Sequence, residues 1–292
     1  MIQQSVFKTS LLTIVALIAF AANSVLCRLA LDVYQMNAGS FTVLRLLSGT
    51  MILFIIIQLH NKQKNNKADL KQTKNWFAAF MLFTYATAFS FAYISLDTGV
   101  GALILFASVQ ITIILYSIYT GNRLHITEWG GLIIAFVGFI YLISPNLSSP
   151  SIIGFLLMSV AGIAWGFYTI QGMHSKTALF DTAQNFIKTI PFIAVLALIT
   201  LPQSHLNLQG ILLALLSGSI ASGIGYAIWY MALAGLSSVQ AAVMQLTVPI
   251  IAAVGGVLFV SEEMTLRLLI SATMVLGGIL AMIATRYFIQ QK

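Results

Sequence analysis

Two cations stand inside apolar stretches of this chain, Arg45 and Lys188. An ionisable group in hydrocarbon is costly, so each needs a partner or a route to water. A guanidinium or ammonium away from water binds a carboxylate through charge-assisted hydrogen bonds. The pair would suit an anionic or zwitterionic small molecule. The competing reading is that both side chains snorkel toward headgroups or bond to helix ends, since each lies only about two turns from the start of its segment.

Neutral polar and aromatic groups form the second set of candidates: Asn23, Tyr85, Gln110, Trp165, Tyr168, Gln171, Tyr226, Trp229, Tyr230 and Gln245. An unpaired amide is expensive in lipid, so Asn23, Gln110 and Gln245 are expected to face protein. There they bond helix to helix or bond a substrate. The aromatics could wall a pocket. Trp76, Tyr34 and Trp129 fit an interfacial aromatic belt instead. Pro249 removes a backbone hydrogen bond within its segment and is expected to kink it as a hinge.

Other chemistries lack their residues. The acids Asp32, Asp97, Glu262 and Glu263 fall at one edge of the apolar segments, and Asp69, Glu128 and Asp181 at the other. That placement argues against a buried carboxylate proton relay. His174 near a segment end reads as a solvated histidine. The sequence shows no metal-ligand spacing, no Gly-x-Ser-x-Gly and no Walker loop, so no catalytic residue, metal or cofactor is expected. Cys27 is the single cysteine, so no internal disulfide can form.

The elements that must position these groups follow from composition. Of 292 residues, 59% are hydrophobic and 7% are charged. Water-soluble domains carry about 25% charged residues. Mean hydropathy is +0.96. The net charge of +7 is spread between apolar segments rather than gathered in a patch, which excludes a nucleic-acid partner. Lipid bilayer is the expected surrounding.

A spanning helix needs about 20 apolar residues. Ten such stretches are predicted, at 10–29, 38–59, 76–94, 99–119, 127–144, 152–172, 182–201, 210–231, 237–260 and 266–287. The first resembles a signal peptide, but its apolar run continues to Leu31 and its pattern returns at Trp165, so it reads as an uncleaved helix. The polar connection 60–75 carries Lys62, Lys64, Lys67, Lys71 and Lys74, which marks it as cytoplasmic. Lys8, Arg123, Lys176, Arg286 and Lys292 then fall on the same side, with only Arg28 and Arg267 opposite. Both termini are expected in the cytoplasm.

The chain also repeats itself. Ala19-Phe20-Ala21 matches Ala164-Trp165-Gly166, Arg45 matches Lys188, Phe89–Tyr93 matches Tyr226–Tyr230, and Asn122-Arg123-Leu124 matches Glu262-Glu263-Met264. Two halves are predicted, 1–146 and 147–292. With five crossings in each, the second would lie upside down relative to the first, a common architecture for carriers. The expected fold is an all-α membrane protein, ten transmembrane helices in two inverted five-helix repeats around a central cavity.

These residues carry a family resemblance. Ala164-Trp165-Gly166, Arg45, the run Gly225–Leu233 and the junction Glu262–Thr265 resemble EamA-type carriers of the drug/metabolite transporter superfamily, over essentially the whole chain. The first half departs at Asn122, where the family pattern has an acid. The resemblance implies a bacterial inner-membrane carrier that exports or exchanges small metabolites, often amino acids. The rival within transport is uptake of a nucleotide-like or cofactor metabolite, such as an adenosyl compound. A sensor would add a soluble domain and an enzyme a catalytic constellation. A small-molecule metabolite and lipid are the expected partners, with a homodimer left open.

Overall fold

The computed structural model describes residues 6–64, 76–121, 126–144, 150–172, 177–200, 206–233, 235–236 and 238–290. Sequence readings on 65–75, Asn122, Arg123, His174, Lys176 and Lys292, and on the side chains of Lys62, Lys64, Tyr230 and Arg286, fall outside the described residues.

Every regular element among the described residues is a helix. Hydrocarbon offers the backbone no hydrogen-bond partner, and a helix satisfies its own N–H and C=O groups. The helices are α1 Val6–Arg28, α2 Ala38–Lys64, α3 Trp76–Ala92, α4 Thr98–Tyr119, α5 Ile126–Ile143 and α6 Ile152–Gly172. They continue with α7 Ala178–Lys188, α8 Ile190–Thr200, α9 Leu208–Leu216, α10 Gly225–Leu233, α11 Ser238–Gln245, α12 Val248–Gly255 and α13 Leu266–Gln290. Among the described residues, 8 helical stretches are long and apolar enough to cross a membrane, and Trp76–Ala92 and Glu128–Ile143 are shorter apolar helices.

The predicted stretches 182–201 and 237–260 are each interrupted. Pro191 stands in the first turn of α8 and has no N–H to give Ile187, so the helix breaks at Thr189. The other break falls at 246–247, just before Pro249, which sits at the start of α12. Among the described residues, three stretches wind as π-helix: Leu29–Val33, Ser217–Ile224 and Gly256–Val260. Asn37 caps α2, its Oδ1 accepting from Gly39 N at 2.8 Å.

Packing between the two halves is reciprocal. α1 lies on α10 and α12 of the second half, while α6 lies on α3 and α4 of the first. α5 pairs with α13, the last helix of each half meeting its counterpart. Small residues set these crossings. A Cβ at Gly131 would stand 2.5 Å from the carbonyl oxygen of Gly278, between α5 and α13. Gly162 and Gly166 of α6 bring its backbone against α4, where an added Cβ would meet Leu105 O at 2.6 Å and Thr112 Cβ at 2.8 Å.

Candidate functional site

The interior of the bundle holds a charged group that no acid among the described residues pairs with. Arg45, on α2, is 2% exposed. Its Nη2 donates to the Tyr85 hydroxyl at 3.0 Å and its Nε lies 3.4 Å from Ser222 Oγ. The guanidinium carbon stands 4.7 Å from the Phe89 ring centre and 5.3 Å from that of Tyr85. Ring faces attract cations, by about 2 kcal/mol when desolvated. Nη1 is buried with no hydrogen-bond partner. Burying a cation costs several kcal/mol unless an anion repays it, and hydroxyls and ring faces repay only part.

The backbone places this group by close approach. Gly218, in the π-helical stretch, lies where a Cβ would overlap the Arg45 carbonyl and Ser48 Oγ. α2 and the stretch Ser217–Ile224 are thereby in backbone contact. Asn23 of α1 joins them: its Oδ1 accepts from Ser217 Oγ at 2.8 Å and Ser222 Oγ at 3.3 Å. Ser222 therefore links Asn23 to Arg45. π-Helical turns often mark functional sites, and here one delivers two hydroxyls to the same polar cluster.

Beside this cluster, aromatic rings enclose a small cavity lined by Phe20, Asn23, Tyr85, Phe89, Leu105, Phe106, Trp165 and Tyr226. Its free space is about 20 Å³, room for a water molecule rather than a metabolite. Trp165 sits among three rings, 4.7 Å from Tyr85, 5.0 Å from Tyr226 and 5.2 Å from Tyr168. Phe20 lies 5.7 Å from both Tyr226 and Trp229. Both halves contribute, the first through α1, α3 and α4 and the second through α6 and α10.

Of the sequence candidates, Asn23, Arg45, Tyr85, Trp165, Tyr168 and Tyr226 meet here. Lys188 does not join them. It stands partly exposed in the last turn of α7, where the helix dipole favours a cation. Gln110 is buried on α4 but does not line the cavity. Gln245 is half-buried at the end of α11, and Gln171 is exposed. Sequence reasoning missed Phe20, Phe89, Leu105, Ser217 and Ser222. Phe20 and Phe89 carried a signal, each as a member of a repeated run, Phe20 standing where the second copy has Trp165.

A second polar cluster closes one end of the bundle, the end predicted to face outward. Arg28, the last residue of α1, reaches Glu262 Oε1 at 3.2 Å, Asp32 at 3.5 Å and Asp97 at 3.6 Å, and donates to Tyr93 O at 3.0 Å. Glu262 accepts from the Thr98 backbone N–H at 2.8 Å (Oε2) and the Thr98 hydroxyl at 2.9 Å (Oε1). It thus satisfies an N–H at the start of α4 from 164 residues away. Ser261, at φ 61°, makes the left-handed turn that brings Glu262 back. Gly256 carries no side chain where the Glu262 carboxylate lies. Burial pushes the Glu262 carboxyl above the usual carboxylate range, with Asp97 adding, against the Thr98 bonds and Arg28. The sequence put these residues at one edge, but nothing in it linked them.

An all-helical, lipid-suited bundle with an aromatic interior cavity fits a membrane transporter. The sequence profile of the EamA-like transporter family matches twice, over 7–144 and 152–284. The chain belongs to that family, within the drug/metabolite transporter superfamily, and is a membrane transporter. An uncharacterized protein of Pseudomonas aeruginosa is 42% identical over 96% of each chain. A probable amino-acid metabolite efflux pump of Escherichia coli is 24% identical over 66% of this chain and 70% of its own. One solved crystal structure matches 97% of this chain and 99% of its own at a TM-score of 0.62 and 15% identity, which shows the fold.

Proposed function

We propose that this protein is a secondary carrier of small polar metabolites, exporting or exchanging amino acids or related carboxylate-bearing compounds by alternating access. Ten helices in two inverted five-helix repeats, with both termini in the cytoplasm, supply the two-sided path. One observation carries the reading: a buried guanidinium with an orphan N–H stands beside an aromatic cavity walled by both halves, and among the described residues no carboxylate pairs with it or lines that cavity. A substrate carboxylate would complete the Arg45 fork, and the rings of Phe20, Tyr85, Trp165 and Tyr226 would cover an apolar body. Asn23 and Ser222 hold the arginine and the cavity wall in register. The reciprocal packing of α1 and α6 favours two halves that move as equivalents. The Escherichia coli relative favours efflux of amino-acid metabolites.

Counterflow in proteoliposomes tests it, with a panel of radiolabelled amino acids, their keto and hydroxy acids, and adenosyl compounds. The expected result is exchange of one or more carboxylates, abolished by Arg45→Gln in protein that elutes normally. Counterflow of adenosyl compounds alone, or none across the panel, overturns the reading.

A further inference from the structure

We propose that Arg28, Glu262 and Thr98 form the outer gate of the carrier, a polar latch that must part before the central cavity can reach that face. The proposal rests on the alternating-access reading above. Three chain segments meet in the latch: the end of α1, the junction of α3 and α4, and the junction between Gly256–Val260 and α13. The first two belong to the profile match 7–144 and the third to 152–284. No separation of the halves at this end can occur without breaking these bonds. The latch holds backbone as well as side chain, because Glu262 binds the Thr98 N–H and Arg28 binds the Tyr93 carbonyl.

Its placement suits a gate. Along α1, Phe20 and Asn23 line the cavity, Val25 packs against Gly255 of α12, and Arg28 ends the helix in the latch. That file of contacts is a route from the cavity to the end of the bundle. Below the latch the helices touch through small groups, an added Cβ at Gly99 standing 2.7 Å from Ala253 Cβ. The charged side chains keep contact with water, Arg28 being 11% and Glu262 10% exposed. Their resolvation on parting offsets the lost bonds, as a reversible gate requires. Asp32 and Asp97 stay beside Arg28 as alternative partners on its own half. Arg267, the next cation along, is engaged elsewhere, donating to Ser144 O at 2.9 Å. The matching junction of the first half carries Asn122 in place of Glu262, so the acid of the latch is particular to one end.

Accessibility labelling tests the gate without a substrate. In a Cys27→Ala chain, Leu105→Cys places one thiol at the cavity wall. Sealed right-side-out vesicles are treated with a membrane-impermeant maleimide. Glu262→Gln or Arg28→Gln is expected to raise the labelling rate about fivefold or more, the usual range of a coupling between a contact and a conformational equilibrium. A lock supplies the opposite arm: Val25→Cys with Gly255→Cys joins Cβ positions 3.9 Å apart, inside the disulfide range of about 3.5–4.5 Å. With label counted at position 105 alone, oxidation is expected to suppress it, and reduction followed by removal of the reductant to restore it. The lock needs no latch variant, so it decides even where Arg28 and Glu262 variants fail to fold. Labelling unchanged by the oxidised lock, or unchanged by latch variants that elute normally, overturns the gate. Persistent counterflow in either case leaves the carrier reading standing. Loss of counterflow across the whole panel in the wild-type protein strikes that reading instead.

Discussion

Two arginines of this molecule live in opposite circumstances. Arg28, at the end of α1, has three carboxylates within 3.6 Å and is 11% exposed. Arg45, inside the bundle, has none, and makes do with two hydroxyls and two ring faces. A compensated cation at an edge is what fold maintenance requires. An uncompensated one in the interior is a standing cost, and a standing cost that persists points to a partner that comes and goes. The difference separates a residue that holds the protein together from one that waits for something.

The sharpest way to break that contrast is Arg45→Gln. If the contrast holds, exchange falls by about a hundredfold, because truncating one member of a buried charge pair costs about 2–5 kcal/mol. Thermal stability of the empty protein is expected to hold or rise, since removing an uncompensated buried charge is often stabilising. Parallel counterflow and thermal-shift measurements read the two signs. Arg45→Lys should rescue little, because a point charge cannot replace the two-pronged fork. A fall in stability matching the fall in flux would make Arg45 a structural cation rather than a binding one.

At the other pole, Glu262→Ala is expected to destabilise by about 1–2 kcal/mol, the worth of a helix-start acceptor. Thermal unfolding of detergent-solubilised protein measures it. The same acid gives a pH signature. Its carboxyl titrates higher in the folded protein than in water, so the fold binds that proton more tightly than the unfolded chain does. Its contribution is present below the ordinary carboxylate range and lost as pH rises through the elevated value. Wild-type protein should lose thermal stability over that interval, and Glu262→Gln should flatten this component.

Tyr85→Phe sharpens the comparison from the substrate side. It deletes the Arg45 Nη2 bond while keeping the ring, and is expected to weaken substrate binding about tenfold, the worth of a hydrogen bond to a charged group. The smallest effect is expected at Lys188→Gln, within about 0.5 kcal/mol in stability and with flux unchanged. A large flux loss there would return Lys188 to the site as a second anion anchor.

How far these features were legible depends on what the sequence displays. Helical crossings follow from apolar runs, and the predicted stretches 38–59, 99–119 and 152–172 each contain a continuous helix. The break at Thr189 was missed, because a proline three residues past a lysine changes local geometry without changing hydropathy. Arg45 was conspicuous because a charge in hydrocarbon stands out whatever surrounds it. Lys188 gave the same signal and lies elsewhere, at a helix end the break creates. Phe20 and Phe89 fell in repeated runs but carried no chemical flag, since an apolar ring looks alike in sequence whether it walls a cavity or touches lipid. The pair Arg28 and Glu262, 234 residues apart, is a product of tertiary structure alone.

Gly218 carries a consequence for comparative genomics. Any side chain there collides with the main chain of α2 at Arg45, so a methyl group would push the arginine out of its depth. Among relatives, glycine at that column and arginine at its partner column should be inherited together. A genome survey could use the joint presence of the two to sort chains sharing this cargo chemistry from those that only share the scaffold.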